Sequence, residues 1–436
     1  MNIDAKRVAD SHDIRLNLFL GLANWSLFLD HIPNDVVNRI TARNYGFSGA
    51  SDLFIFISGY TAAIIYAKIM LERGFIIGAT RIIKQLAHLY AAYIVLFVTY
   101  IAAIGYVAAQ YSAPDILNEF NIAGIVDQPI RILAHGLLLQ AKPLNLDVLQ
   151  LYVMMTAILV PVMWLLLRAP DLTMAESVAL YLAARWFEWN LSSFPDGDWY
   201  FNPFCWQLLF VLGGWLALGG ARRLAPMLKS PFFLYAGVAY LIFALAMTMA
   251  ARFPDFGRIF PAWLVDAFNP NDKVNLAPYR LLHFLVLAFI VTRFVRKDSP
   301  ALKSPIFNPL IKCGEQSLAV FCVGVLLSFL GNFALTLSAG SLIEQILVSI
   351  SGIACMTFVA YYVSWSKQQD VWKAAAAPHP QAGPHRGLDT RVPDAGVAVG
   401  VVSHGVFEPK PVPDPIEVDA GSLNETATKQ NRRARL

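Results

Sequence analysis

Residues 84–109 read KQLAHLYAAYIVLFVTYIAAIGYVAA, a stretch with no charged side chain after Lys84 apart from the titratable His88. A helix of about 20 apolar residues crosses the roughly 30 Å hydrocarbon layer of a bilayer. Lipid offers the backbone no hydrogen bonds, so an uncharged stretch of this length reads as a transmembrane helix. Similar windows lie on both sides of it, at 14–32, 47–70, 146–167, 174–191, 204–220, 231–250, 278–295, 314–334 and 342–365. The fold expected is therefore an all-α polytopic membrane protein with about ten transmembrane helices. Composition agrees: of 436 residues 57% are hydrophobic and 15% charged, with a mean hydropathy of +0.51, which excludes a soluble enzyme. The weakest window contains ESVALYLAARWFEWN, where Arg185 and Glu188 share one helical face. If that helix lay at the interface instead, everything downstream would invert.

Orientation follows from the short basic loops. Lys6, Arg7 and Arg15, then Lys68, Arg73, Arg81 and Lys84, then Arg222, Arg223 and Lys229, then Arg293, Arg296, Lys297, Lys303 and Lys312 all fall on one side. The opposite loops are poorer in bases: 192–203 carries only Asp196 and Asp198, and 335–341 no charge. Both termini are therefore expected in the cytoplasm. The exception is loop 251–277, whose Arg252, Arg258 and Lys273 suggest a site to serve.

Three divisions are expected: a cytoplasmic segment 1–13, a membrane domain 14–365, and a disordered cytoplasmic tail 366–436 containing PKPVPDP and KQNRRARL. MNIDAKRVADSHD lacks the apolar core of a cleaved signal peptide, so the first span is expected to act as its own insertion signal. The net charge of +4 is accounted for by the inner loops and the membrane lipid they face, with no nucleic-acid partner. Cys205, Cys313, Cys322 and Cys355 show no CxxC spacing, so neither a disulfide framework nor a metal site is expected.

Polar residues are costly inside a bilayer and usually face a cavity or one another. Asp30 and His31 close the first span. Arg43, Asn44 and Asp52 lead into the second, Asn145 and Asp147 into the fourth, Trp199, Asn202, Trp206 and Gln207 into the sixth, and Asp272, Lys273, Asn275, Arg280 and His283 into the eighth. All of these clusters fall on the predicted outer side, whereas the inner ends hold mostly plain Lys and Arg. The asymmetry points to an outward-facing polar cavity, against the alternative of scattered interfacial anchors.

His31 is the natural general base there, because an imidazole titrates near neutral pH. Adjacent helical residues point about 100° apart, so its orienting acid is Asp30 or another carboxylate such as Asp52 or Asp147. Arg280 and His283, three residues apart, read as an anion-binding pair. The chain has no GxSxG, Walker loop or HExxH. The simplest enzymatic reading is then transfer to a bound hydroxyl without a covalent enzyme intermediate, with Arg280, Lys273 or Asn202 stabilising the developing charge.

The stretches IRLNLFLGLANWSLFLDHIP, RNYGFSGASDLFIFISGY, NLDVLQLY, FNPFCWQLLFVLGGWLA, DKVNLAPYRLLHF and SLAVFCVGVLLSFLG resemble the OpgC proteins, relatives of the acyltransferase 3 superfamily. The resemblance implies a ten-span O-acyltransferase of the bacterial inner membrane that succinylates osmoregulated periplasmic glucans. It also implies an acyl-CoA co-substrate, succinyl-CoA, with no permanently bound cofactor, and a catalytic histidine at the position of His31, with Asp30 beside it. The other polar residues named above would bind substrate, and Trp199 and Trp206 would stack on sugar rings.

The chain departs from the family pattern at Leu20, where an arginine is expected, and at Ala91 and Tyr93, where an arginine and a histidine are expected. Arg15, Arg81, Lys84 and His88 then take over the donor contacts, or the donor site is altered. Two other classes stay open: a carrier or flippase for an anionic or saccharide substrate, and a noncatalytic relative that binds a partner.

Overall fold

A computed structural model of the chain describes residues 13–376, apart from 34, 112–116, 118–119, 121, 123–127, 142, 195, 298 and 339, with side chains as far as 369. The expected segment 1–12 and the tail beyond 376 lie outside the described residues. The described chain is all helical, with two isolated bridges as its only extended pairings.

The first helix, α1 (Ile14–Asp30), starts where Asp13 caps the Arg15 N–H and stops just before Pro33. Then come α2 (Ala50–Arg73), α3 (Phe75–Gln110), the short α4 (Pro129–Leu137), α5 (Asp147–Ala157), α6 (Leu159–Arg168), α7 (Pro170–Trp186), α8 (Pro203–Trp215), α9 (Pro231–Arg252), α10 (Pro278–Phe294), α11 (Asn308–Glu315), α12 (Ser317–Leu337) and α13 (Leu342–Ala376).

Every one of the ten windows holds a helix. Among the described residues, six helices are long and apolar enough to cross a bilayer, and seven if α5 and α6, bent by 52°, form one span. The helices α1, α7 and α10 have 17 residues each, about 25 Å at 1.5 Å per residue, the short limit for crossing. Length and composition thus select six or seven of the ten.

Two boundaries differ from expectation. α3 begins at Phe75 rather than 84, directly after Gly74 (φ 94), because Arg81 and Lys84 sit on a helix longer than the hydrocarbon layer and do not end it. α13 continues to Ala376, past the expected start of the tail at 366. The buried face of α3 follows the helical period through Ile82, Gln85, Leu89, Tyr93, Phe97, Tyr100 and Ile104. Its other face exposes Ile83, Val95, Val98 and Tyr106, an apolar surface suited to lipid.

Between membrane helices, close backbone approach takes the place of hydrophobic driving force. A Cβ on Gly59 of α2 would lie 2.0 Å from the Phe210 carbonyl oxygen of α8, and one on Gly314 of α11 would lie 1.8 Å from that of Asn17 in α1. Gly314→Ala is therefore expected to cost about 1–3 kcal/mol, read as a lower unfolding midpoint in detergent. Gly105→Ala, where an added Cβ meets nothing within 4 Å, is expected not to lower the midpoint.

Candidate active site at one end of the bundle

Six helix termini meet at one end of the bundle, and hydrogen bonds identify them. The Asn145 amide, just before α5, donates to the His31 carbonyl at the end of α1 (3.2 Å). Asn145 adopts a left-handed backbone (φ 75), which Asn tolerates better than most residues. Asp52 in the first turn of α2 receives Arg280 of α10 bidentately, Nε to Oδ1 at 2.9 Å and Nη2 to Oδ2 at 2.5 Å. The indole of Trp206 in α8 donates to the carbonyls of Lys273 and Val274, both at 3.1 Å. Arg185 at the end of α7 pairs with Asp272 at 3.1 Å.

The Asp52–Arg280 pair is buried, with side chains 0% and 6% exposed. Asp52 also accepts the Gly49 N–H at 2.9 Å, and Arg280 also donates to the Phe47 carbonyl at 2.8 Å. Both groups are fully committed to fixing segment 47–52. His283 is committed as well. Its Nδ1 lies 2.7 Å from Ser48 Oγ and receives the Ser48 backbone N–H at 3.3 Å. A backbone N–H only donates, so Nδ1 is the acceptor and the ring proton sits on Nε2. The anion-binding pair expected of Arg280 and His283 is thus replaced by two clamps on the loop before α2.

Several other expected substrate contacts are structural. Asn202 donates to the Trp189 carbonyl (2.7 Å) and to Asn275 Oδ1 (2.9 Å), and it caps α8. Gln207 exchanges hydrogen bonds with Ser177, holding α7 to α8. Asn44 closes its own turn onto Asn38 and Thr41. Trp206 is fully buried and Trp199 is 5% exposed, so their ring faces meet protein, not sugar. The aromatic surfaces available near the site are Tyr45 and Tyr200, 51% and 44% exposed. Tyr45, two residues after Arg43 in the segment before α2, carries the sequence signal for the first of them.

His31 is half-buried, and no described residue hydrogen-bonds its ring. Asp30 turns away from it: its Oδ1 accepts Thr41 Oγ1 at 2.6 Å and faces Arg43 Nε at 3.4 Å. With Asp52 engaged by Arg280, neither of these acids orients the imidazole. Asp147 begins α5 and acts electrostatically on Lys273 and Tyr200.

A closed seam with no room for a water molecule runs from His31 along α1 past Leu27 and Phe28 to Asn24, with Phe321, Gly324 and Val325 of α12 opposite. His31 and Asn24 are seven residues apart and share a face. Asn24 donates to Ser317 Oγ at 2.9 Å, while its own Oδ1 is buried without a partner. A polar side chain in mid-span was the sequence signal for it.

The residues expected to bind a donor do not converge. Arg15 clasps Asp13 and the Val295 carbonyl (2.6 Å) at the opposite end of the bundle. On α3, Lys84 and His88 are exposed on the face opposite buried Gln85 and Leu89, and Arg81 is half-buried.

Lys273 lies in the loop before α10. Its Nζ stands over the rings of Phe201 (4.8 Å) and Tyr200 (5.2 Å). Burial, reinforced by nearby Arg280, pushes its ammonium down to about 8 from 10.5. The folded state therefore binds fewer protons than the unfolded chain between these values, and stability rises with pH across that window. The cost of burying the cation is fully present below about pH 8. Lys273→Met is expected to raise the thermal midpoint at pH 7, with the gain shrinking between pH 8 and 10.5. A melting series against pH checks it.

The apolar helices and the charged cluster at their shared end define a helical membrane protein with a polar site at one end. A family model described as OpgC protein matches residues 12–368. The chain belongs to the OpgC protein family. No curated protein and no solved structure matches it.

Proposed function

We propose that this protein is an O-acyltransferase of the bacterial inner membrane that transfers a succinyl group from succinyl-CoA to hydroxyls of periplasmic glucans. Membership of the OpgC family supports the reaction class. The observation that carries the site is His31: an imidazole with no hydrogen bond from a described residue, at the head of the α1–α12 seam where helix ends converge.

In this reading the His31 end faces the periplasm, all ten helices span the membrane, and the termini are cytoplasmic. The acyl arm of the donor enters as α1 and α12 part beside Asn24. A glucan hydroxyl gives its proton to the free ring nitrogen of His31 as its oxygen attacks the thioester carbonyl. The tetrahedral oxyanion forms near Arg43, the cation left loosely held at 3.4 Å from Asp30. The C–S bond then breaks, and the thiolate takes the proton from the imidazolium. The products are a glucan ester and free CoA, and His31 returns to its starting state. Tyr45 and Tyr200, in place of the buried tryptophans, offer ring faces to the sugar.

The test uses purified protein in lipid nanodiscs, succinyl-CoA labelled in the acyl group, and neutral periplasmic glucan. Label appearing in alkali-labile ester on the glucan supports the reading. Glucan that stays unlabelled while the protein is folded refutes it.

A further inference from the structure

We propose that Lys273 is a specificity residue whose ammonium group receives the distal carboxylate of a dicarboxylic acyl group, selecting anionic donors over neutral ones. This deepens the acyltransferase reading and rests on it.

Among the described residues, each other cation next to the site has an acid: Arg280 has Asp52, Arg43 has Asp30 and Arg185 has Asp272. Lys273 Nζ forms neither an ion pair nor a hydrogen bond with any described residue, and its neighbours are the two aromatic faces. Its loop is fixed against segment 47–52, where Asn271 donates to the Phe47 carbonyl at 2.7 Å, and from there its charge also acts on His31 and Asp30.

Its backbone is tightly held. Trp206 binds the Lys273 and Val274 carbonyls, and the Val274 carbonyl also accepts the Asn202 N–H. Tyr279 binds the Asp272 N–H at 3.0 Å. The loop thus presents a fixed, partly desolvated ammonium group with no acid at ion-pair distance among the described residues, Asp52 and Asp147 acting on it only from further away. Such a group is costly to keep, and an incoming anion at this spot gains more from it than in water.

A neutral glucan brings no anion. A succinyl group brings a carboxylate two methylenes beyond the carbonyl attacked near His31. The remaining anions, the transition-state oxyanion and the phosphates of CoA, are common to both acyl donors, and this difference separates the roles by experiment.

Wild type, Lys273→Met and Lys273→Arg, each full length in nanodiscs, are compared with succinyl-CoA and with its monomethyl ester, in which the distal carboxylate is capped. Losing the partner of a desolvated charge costs about 2 kcal/mol or more, so wild type is expected to favour succinyl-CoA over the ester by about 30-fold or more in kcat/KM. Lys273→Met is expected to abolish that preference by losing activity towards succinyl-CoA alone. Its transfer from the ester reports that the variant is folded, and Lys273→Arg is expected to keep most of the preference.

Equal slowing of both donors, or of neither, overturns the assignment while the transferase reading stands. Transfer from neither donor by wild type overturns both.

Discussion

Replacing His31 with alanine is expected to lower glucan acylation by about 10²–10⁴-fold, the range a general base contributes, while the protein stays folded in the membrane. The expectation is this sharp because no hydrogen bond of the scaffold runs through the ring. It makes no hydrogen bond with a described residue, and the bond that ties α1 to α5 runs through the His31 carbonyl, which the substitution retains. A folded His31→Ala protein that acylates at the wild-type rate would remove His31 as the base. The neighbouring carboxylate is a poor substitute, since Asp30 is held by Thr41 and Arg43.

Arg280→Met is expected to have the largest effect on folding. It leaves the Asp52 carboxylate, 0% exposed, with no cation, a situation that costs about 3–5 kcal/mol. It also releases the Phe47 carbonyl and with it the loop before α2. The expected readout is loss of monodisperse protein after detergent extraction. Replacing both partners with apolar groups removes the stranded charge, so Asp52→Leu with Arg280→Met is expected to recover much of the folded yield. A single variant as stable as wild type would show that the pair is not buried.

The sequence makes the site's location legible but not its wiring. Asp30, Asp52, Asn145, Trp206 and Arg280 all fall at span ends of one polarity, and a helical hairpin rule suffices to bring such ends together. Which side chains remain free after packing is a question of pairing between residues far apart in the chain. Arg280 and Asp52 are 228 positions apart and Ser48 and His283 are 235 apart. No local spacing reports such partners, so Arg280, His283, Asn202 and Gln207 read as substrate contacts although they hold the scaffold.

The burial of the tryptophans is hidden for the same reason, because composition places an aromatic at a span end without showing whether its face meets protein or solvent. The phase of α3 was readable: Lys84 and His88 are four apart, opposite the run Gln85, Leu89, Tyr93. That run forms the buried face, and it carries Lys84 and His88 away from the bundle.

The most direct measurement is mass spectrometry of periplasmic glucans from cells lacking the gene, complemented with wild type or with His31→Ala. A succinyl mass increment restored by wild type and absent with the folded variant is the expected result. Identical glucan masses in all strains, with both proteins present in the membrane, would contradict glucan acylation and favour a carrier or a noncatalytic relative.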